Sequence, residues 1–203
     1  MIETEKRILS SAKKIFYQKG LKGARMQEIA DDANVNKALL HYYFRSKQKL
    51  FDRVFEESVK SVTPVLSNVF QEEINLQEKI KKMVDMLIDL FVEEPYLSNF
   101  IVNELSQNPE RLFLKFLDFQ DGLIGRVIPL INDQIQAEID AGNIKKHIKS
   151  AELIIDIMSL CLLPIMAQDV IQKTLGIDDQ RMQRFMKKRK ESVTAFVMNA
   201  IKA

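Results

Sequence analysis

Apolar residues recur along this chain at intervals of three and four positions, with polar or charged residues between them. This spacing places the apolar side chains on one face of an α-helix, because a helix turns once every 3.6 residues. The first such stripe runs from Ile8 to Phe16, and Gly20 is expected to end its helix. No segment of the chain makes a convincing strand. The pattern predicts an all-α protein of about nine helices.

Two short helices joined by a tight turn are expected after the first helix. Ile29 and Ala30 face inward on the first of the pair, and Asn34 suits the left-handed conformation that a tight turn often needs. Asn36 is a good N-cap for the segment KALLHYYF, and Ser46 is a good N-cap for the helix that follows. The buried side of that fourth helix is expected to hold Leu50, Phe51, Val54 and Phe55.

The later helices are longer, and several have a recognisable start. Asn75 and Glu78 have the spacing of a capping box. Ser150 is expected to cap a strongly apolar helix that Pro164 kinks, and Asp178 is expected to begin the last helix.

The short segment KALLHYYF divides into two faces when it is read as a helix. Leu40 and Phe44 are four residues apart, so they share a face that can pack against Ile29 and Ala30. The other side carries the residues available to DNA: Lys37, Ala38, His41, Tyr42 and Tyr43. A surface histidine and a packed Tyr43 are the alternatives. Two short helices with this division form a helix-turn-helix if the second can enter a major groove.

The charge of the chain is unevenly distributed. Residues 1–50 hold 11 Lys and Arg against 5 Asp and Glu, a net charge of +6, whereas the remaining residues hold 19 against 23, a net charge of −4. A basic N-terminal region on a mildly acidic remainder suggests a polyanionic partner. Chance asymmetry on solvated helices is the other interpretation.

The stretch GARMQEIADDANVNKALLHYYFRSKQKLF resembles the N-terminal signature of the TetR family of bacterial transcriptional regulators. The resemblance covers about residues 5–55, and the remainder is similar only in length and helical character. It implies a helix-turn-helix DNA-binding head over residues 1–46. It also implies a regulatory and dimerising body over residues 47–203, with the fourth helix as the connector.

The resemblance also assigns positions to the DNA interface, at the start of the second helix, along the third helix and at the start of the fourth. Here these positions hold Arg25, Met26, Gln27, Asn36, Lys37, Ala38, Leu39, His41, Tyr42, Tyr43 and Lys47. Family members commonly have a small hydroxyl residue where Arg25 stands, so a phosphate contact is expected there in place of a cap. Leu39 replaces what is often a small residue and can contact a thymine methyl group.

TetR-like proteins resemble one another in a body that dimerises through its last two helices and encloses a small-molecule pocket. The resemblance therefore implies a homodimer on a palindromic operator of double-stranded DNA, released by a small, largely hydrophobic effector. Residues of the Met- and Phe-rich region are candidate effector contacts, although such stripes can equally be core: Met83, Met86, Tyr96, Phe100, Asn103, Glu104, Phe116 and Gln120.

Several classes of protein are disfavoured. Two histidines far apart, one cysteine in an apolar run and no metal-ligand spacing predict that the chain is not an enzyme and holds no cofactor or metal. The absence of a signal-peptide pattern and of a membrane-length apolar run predicts a cytoplasmic protein with no membrane partner. A regulator without a small-molecule effector, and a helical binding protein with a vestigial head, remain as alternative functions.

Overall fold

The computed structural model describes residues 3–108, 110 and 123–203. Ten α-helices lie within these residues, and the all-α prediction is confirmed. They are α1 Glu3–Gly23, α2 Met26–Asp32, α3 Lys37–Phe44, α4 Lys47–Gln71, α5 Leu76–Glu93, α6 Pro95–Gln107, α7 Leu123–Asp140, α8 Ser150–Met166, α9 Gln168–Leu175 and α10 Asp179–Ile201.

The local signals read from the first 50 residues are confirmed. Gly20 interrupts α1 with a φ of 63°, and Asn34 occupies the turn between α2 and α3 with a φ of 52°. The Asn36 side chain accepts a hydrogen bond of 2.7 Å from the Leu39 N–H, and Ser46 caps α4 through the Lys49 N–H. Each of these caps satisfies a backbone donor that the first turn of a helix leaves without a partner.

A first apolar cluster lies between α1, α2, α3 and the start of α4. Phe16 of α1 and Phe51 of α4 are fully buried at its centre, with ring centroids 4.9 Å apart and nearly perpendicular planes. Phe100 of α6 joins the same cluster, 5.4 Å from Phe51. The core of the head therefore includes the first turns of α4 and one contact from the body. We call this cluster the head core.

A second apolar cluster, the body core, lies between α5, α7, α8 and α10. Its buried residues include Leu87, Phe91, Ile131, Ile157 and Val197. The predicted capping box is present at the start of α5, where Asn75 and Glu78 bond each other's backbone N–H groups. The other end of α5 lies beside the head, because Glu94 forms a 2.7 Å ion pair with Lys13 of α1.

Helices α8 and α10 run antiparallel, because Leu160 of α8 lies beside Arg189 whereas the start of α8 lies beside the end of α10. The start of α10 lines a cleft with Phe91 and Pro95, close to the head. Its far end lies beside Ile144, which forms a bridge with Lys202. Asp178 caps α10, as predicted, by accepting a 2.8 Å hydrogen bond from the Arg181 N–H.

The kink predicted at Pro164 appears as a break between two helices. Helix α9 leaves α8 at an angle of 68°, and Gly176 ends α9 with a φ of 61°. Pro164 has no N–H, so the carbonyl of Leu160 loses the donor that an α-helix normally supplies. Arg189 of α10 replaces that donor through Nη2, at 3.3 Å.

The expected cap at Ser150 is wrong. Lys149 precedes the first turn of α8 and makes no side-chain cap, and Ser150 is the first helical residue. The Ser150 hydroxyl donates to the Asn132 side chain of α7. A buried hydroxyl group needs a hydrogen-bond partner. Here the partner is Asn132 on a neighbouring helix, which the residues around Ser150 do not indicate.

Within the described residues, no single helix combines the length and the apolar composition needed to cross a membrane. Helices α8 and α9 meet that requirement only when they are counted together across their bend.

Candidate DNA interface

Helix α3 presents one buried face and one exposed face. Leu40 is fully buried and Phe44 nearly so, and both belong to the head core. The opposite side exposes Lys37, Ala38, His41 and Tyr42, with 66% of Tyr42 accessible. The spacing argument therefore placed these side chains correctly.

Helix α2 is held against α1 by ion pairs. Lys14 donates a 2.6 Å hydrogen bond to Asp32, and Lys19 pairs with Glu28. The bond from Lys14, with a further one from Ser11, lowers the pKa of Asp32 below its ordinary value. Both pairs are largely exposed, so each contributes at most about 1 kcal/mol. Their effect is to fix the angle at which α2, and with it α3, leaves α1.

The start of α2 agrees with the expectation for Arg25. This residue precedes the helix in an extended conformation and makes no side-chain cap. Its guanidinium is exposed, as is the amide of Gln27, which donates a 2.8 Å bond to Asp31. Met26 between them is half-buried against the head core. The exposed donors at this edge are therefore Arg25 and Gln27.

Two of the aromatic residues on α3 differ in exposure. Tyr43 is half-buried and packs against the head core, and its ring meets that of Tyr42 edge to face at 5.5 Å. Packing against the head core therefore explains why a tyrosine stands at position 43. The Tyr42 ring, in contrast, is mostly exposed and contacts the ring of Tyr43. Leu39 is half-buried, and Asn36 uses its side-chain oxygen for the cap.

His41 has one ring nitrogen engaged at the end of α3. Its Nδ1 lies 3.2 Å from the carbonyl oxygen of Arg45. A carbonyl only accepts, so this contact selects the form that carries hydrogen on Nδ1 and leaves Nε2 facing outward. Arg45 itself is exposed and has a φ of 59°. Arg45 lies just beyond α3, outside the positions that the resemblance assigns to the interface.

Lys47 makes a contact that the sequence does not reveal. Its Nζ donates a 3.1 Å hydrogen bond to the carbonyl of Ala24, just before α2, and the side chain is half-buried. An ammonium has three N–H groups, so two remain for other acceptors. Lys47 therefore ties α4 to the start of α2, and its contact with phosphate stays a prediction.

The candidate effector residues are not brought together in one pocket. Met83 lies in the body core, Phe100 lies in the head core, and Met86 and Tyr96 are exposed at the surface. Phe116 and Gln120 lie outside the described residues. The Met- and Phe-rich residues are separated because successive residues of α5 and α6 point toward different neighbouring helices.

One cleft does unite three of these residues. Phe100, Asn103 and Glu104 of α6 face Phe16 and Tyr17 of α1 across a cleft of about 610 Å³. The Tyr17 hydroxyl shares a 2.7 Å hydrogen bond with Ser58 of α4, and its ring lies 4.7 Å from that of Phe100. Burial raises the pKa of Tyr17 above its ordinary value, so it stays protonated. The cleft lies where the head meets the body.

Metal-binding groups and reactive thiols were sought in the described part of the chain. It holds no group of three or more His, Cys, Asp and Glu side chains placed to bind a metal ion. Cys161 is buried in the body core, and desolvation raises the pKa of its thiol to about 12, despite the opposing effect of Arg189. A thiol at that pKa is not a nucleophile near neutral pH.

The chain matches one protein family and several regulators. Residues 8–54 match the model described as bacterial regulatory proteins, tetR family. The transcriptional repressor NicS of Pseudomonas putida is 24% identical over 176 residues, which cover 86% of this chain and 82% of NicS. The negative transcriptional regulator IcaR of the biofilm operon icaADBC, from Staphylococcus aureus, is 28% identical over 66% of each chain.

The fold has counterparts among solved structures. The transcriptional regulator SCO4942 of Streptomyces coelicolor superimposes with a TM-score of 0.72, at 18% identity and 98% coverage of both chains. A regulator described as TetR-family, from Mesorhizobium loti, superimposes with a TM-score of 0.63, at 17% identity and full coverage. At these identities the likeness concerns the fold. The match of residues 8–54 confirms the resemblance inferred from the sequence: this segment is similar to the bacterial regulatory proteins of the tetR family.

Proposed function

We propose that this chain is a homodimeric repressor that reads a palindromic operator in double-stranded DNA and is released by a small, largely hydrophobic effector. The observation that carries the proposal is the exposed face of α3, where Lys37, Ala38, His41 and Tyr42 stand opposite a fully buried Leu40. Its relatives NicS and IcaR are named as a repressor and a negative regulator. Contact with the genome implies a cytoplasmic location.

In this proposal, α3 lies in the major groove. Its eight residues make a helix about 12 Å long, which matches a groove about 12 Å wide. Lys37 at its first position reaches guanine O6 and N7, and Leu39 contacts a thymine methyl group. Ala38 lets the helix approach closely, because its side chain is a single methyl group.

The remaining interface residues position the head on the backbone. Arg25 and Lys47 bind phosphates, and Gln27 and Tyr42 donate hydrogen bonds to the backbone or to base edges. His41, whose Nδ1–H is engaged by the Arg45 carbonyl, accepts a hydrogen bond at Nε2 from a base amino group. Asn36, Met26 and Tyr43 support the interface mainly through the cap and the packing that orient α3.

We propose that the last two long helices form the dimer interface. Ile155 and Leu163 of α8 and Phe196 of α10 are 63%, 66% and 63% accessible, although each is large and apolar. Exposed apolar side chains that are adjacent on two helices favour burial against another protein surface. A dimer that reads one palindrome must place its two copies of α3 one helical turn of DNA apart, about 34–36 Å.

The effector is proposed to act in the cleft between α1 and α6. Tyr17 and Phe100 connect the head to the body in this cleft, and the ion pair of Lys13 with Glu94 connects them one turn earlier on α1. An apolar ligand that separates α1 from α6 would move the head, residues 1–46, on the body, residues 47–203, with α4 as the connector. A ligand that prefers the wider arrangement weakens DNA binding by the free energy of that preference.

Selection of random duplex DNA on the purified protein, sequenced at two salt concentrations, tests the function. A palindrome with half-sites about one helical turn apart is expected at both concentrations. Binding that only fades as salt rises, without an enriched sequence, would contradict the proposal and leave a basic head with no operator. An enriched palindrome whose complex resists every apolar ligand in a screen would favour a regulator without a small-molecule effector.

Lys47→Ala is expected to weaken binding to operator and to unrelated DNA by the same factor. Each subunit loses one phosphate contact, so the slope of log affinity against log salt becomes shallower by about one per subunit. Lys60→Ala is the matched control, since Lys60 lies on the same helix about 20 Å away and pairs with Glu56. Because Lys47 also bonds Ala24, thermal unfolding of each variant is measured first. An unchanged slope in folded Lys47→Ala would remove Lys47 from the phosphate contacts.

A further inference from the structure

Two hydrogen bonds between His41 and Arg45 close the end of α3. The Arg45 N–H donates to the His41 carbonyl at 2.9 Å, and Nδ1 of the His41 ring lies 3.2 Å from the Arg45 carbonyl oxygen. If the helix continued, the Arg45 carbonyl would point along the helix axis, away from His41. Instead Arg45 has a φ of 59° and a ψ of −43°, and this conformation turns its carbonyl back toward the ring.

The backbone conformation of Arg45 is unfavourable for a residue with a side chain. At positive φ the Cβ atom comes close to a carbonyl oxygen, so glycine or asparagine usually occupies such positions. A conformation of this kind persists only where the surrounding structure holds it, and it is concentrated at functional sites. Here the carbonyl that it turns back contacts the ring of His41, on the exposed face of α3.

The contact with Arg45 decides which nitrogen of His41 carries hydrogen. Neutral imidazole has one nitrogen that donates and one that accepts. Because a carbonyl only accepts, the hydrogen lies on Nδ1, and Nε2 is left as an acceptor. The ring shares the exposed side of α3 with Lys37 and Ala38, and the single methyl group of Ala38 is too short to cover it.

The free nitrogen of His41 differs from the polar groups beside it, because it can only accept a hydrogen bond. Lys37 can only donate, and the side-chain oxygen of Asn36 already accepts from the Leu39 N–H. The hydroxyl of Tyr42 can donate or accept, so it does not select one kind of partner. A base that offers a donor is therefore needed opposite His41.

The major groove offers such donors on two bases. Adenine presents the N6 amino group and cytosine the N4 amino group, whereas guanine and thymine present only acceptors for hydrogen bonds. Each base pair has one amino group in this groove, so an acceptor reads which strand carries it. Lys37 lies four residues before His41, about 6 Å along the helix, which is nearly two base-pair steps. The two side chains therefore face neighbouring base pairs with opposite requirements.

We propose that the backbone carbonyl of Arg45 fixes His41 as a hydrogen-bond acceptor, and that each operator half-site carries adenine or cytosine where His41 reaches it. Arg45 is a positioning residue in this arrangement, and His41 is the residue that touches the base. The inference rests on the DNA-binding function proposed above and names the base chemistry that this site selects. Guanine or thymine at that position would oppose two acceptors, and is expected to lower affinity roughly threefold to tenfold per half-site.

The hydrogen position on His41 is measured on the whole chain without DNA. Nitrogen-15 NMR at a pH of about 8.5, where histidine is neutral, distinguishes hydrogen on Nδ1 from hydrogen on Nε2. The one other histidine of the chain is His147, whose exposed ring makes no hydrogen bond to another described residue. His147→Gln assigns the two sets of signals.

The two histidines are expected to differ in this measurement. His41 is expected to carry hydrogen mainly on Nδ1, whereas His147 is expected to show the Nε2–H form that predominates in free histidine. A predominant Nε2–H form at His41 would overturn the inference, whatever the chain does with DNA.

Selection of random duplex DNA tests the base preference. The original chain is expected to enrich adenine or cytosine at one position of each half-site. His41→Lys replaces the acceptor by an ammonium group that only donates, and is expected to exchange that preference for guanine or thymine while the other positions stay unchanged. His147→Lys makes the same substitution in the exposed loop before α8 and is expected to leave the enriched sequence unaltered.

The results distinguish this inference from the function on which it rests. An enriched palindrome that His41→Lys leaves unaltered would overturn the base assignment, and so would a position that changes from guanine or thymine. If the original chain enriches no palindrome, the proposed function itself is contradicted, while the NMR measurement still reports the tautomer of His41. Lysine is a good helix former at this exposed position, and circular dichroism checks the fold of the variant. His41→Arg carries the same reversal if His41→Lys is unstable.

Discussion

Replacing Phe51 by alanine is expected to lower the free energy of unfolding by about 3–5 kcal/mol, the usual cost of removing a buried aromatic ring. Phe51 is fully buried, and its ring meets Phe16 at 4.9 Å and Phe100 at 5.4 Å. The two neighbouring rings belong to α1 and α6, and they cannot both close the space that the Phe51 ring leaves. Because the head core orients α3, DNA binding is expected to be lost at temperatures well below the unfolding of the original chain.

Urea unfolding followed by circular dichroism measures this cost. Tyr42→Ala is the control, since Tyr42 is aromatic but 66% accessible. That change is expected to lower the unfolding free energy by less than about 1 kcal/mol, while still weakening DNA binding. Equal losses of stability in the two variants would show that Phe51 does not hold the head together.

Lys37→Glu is expected to reduce operator affinity by about a hundredfold to a thousandfold. Each subunit loses a contact worth about 1.4–2 kcal/mol, and a dimer carries two copies. The loss cannot be attributed to an unstable helix. Lys37 is the first residue of α3, which has no acidic residue in its first turn. An acid there interacts favourably with the helix dipole and should add about 0.3–1 kcal/mol of stability.

Fluorescence anisotropy on operator DNA, beside thermal unfolding, separates the two effects. Lys146→Glu is the matched control, because Lys146 lies in the exposed loop before α8, next to Ile144 at the far end of the body. It is expected to change operator affinity by only a small, salt-sensitive factor. An operator affinity that is unchanged by Lys37→Glu would contradict the proposed placement of α3 in the major groove.

The head could be predicted from the sequence almost residue by residue, because its signals are local. Asn34 in the turn, Asn36 and Ser46 as caps, and Leu40 on the buried face all depend on neighbours within four positions. Helical spacing and capping chemistry act over that same range. Capping residues outside the head, Asn75 and Asp178, were predictable for the same reason.

Contacts between segments that are distant in the chain could not be predicted from the sequence. The sequence predicts a phosphate contact for Lys47, but no residue near Lys47 in the chain indicates its bond to Ala24, 23 positions earlier. The sequence predicts a helix cap at Ser150, but the Ser150 hydroxyl donates to Asn132 on another helix. Both side chains took a partner that only the packing of helices brought within reach.

The sequence by itself determined that this chain is helical, where most of its helices begin, and which face of α3 is exposed. Those properties follow from spacing and from side chains that bond their own backbone. The tertiary structure decided how the Met- and Phe-rich stripe divides, sending Met83 to the body core and Phe100 to the head core. It also placed Arg189 on the carbonyl that Pro164 leaves free, 29 positions away. The physical reason is that an apolar stripe in the sequence shows which side chains will be buried. The residues that each of them contacts depend on how the helices pack.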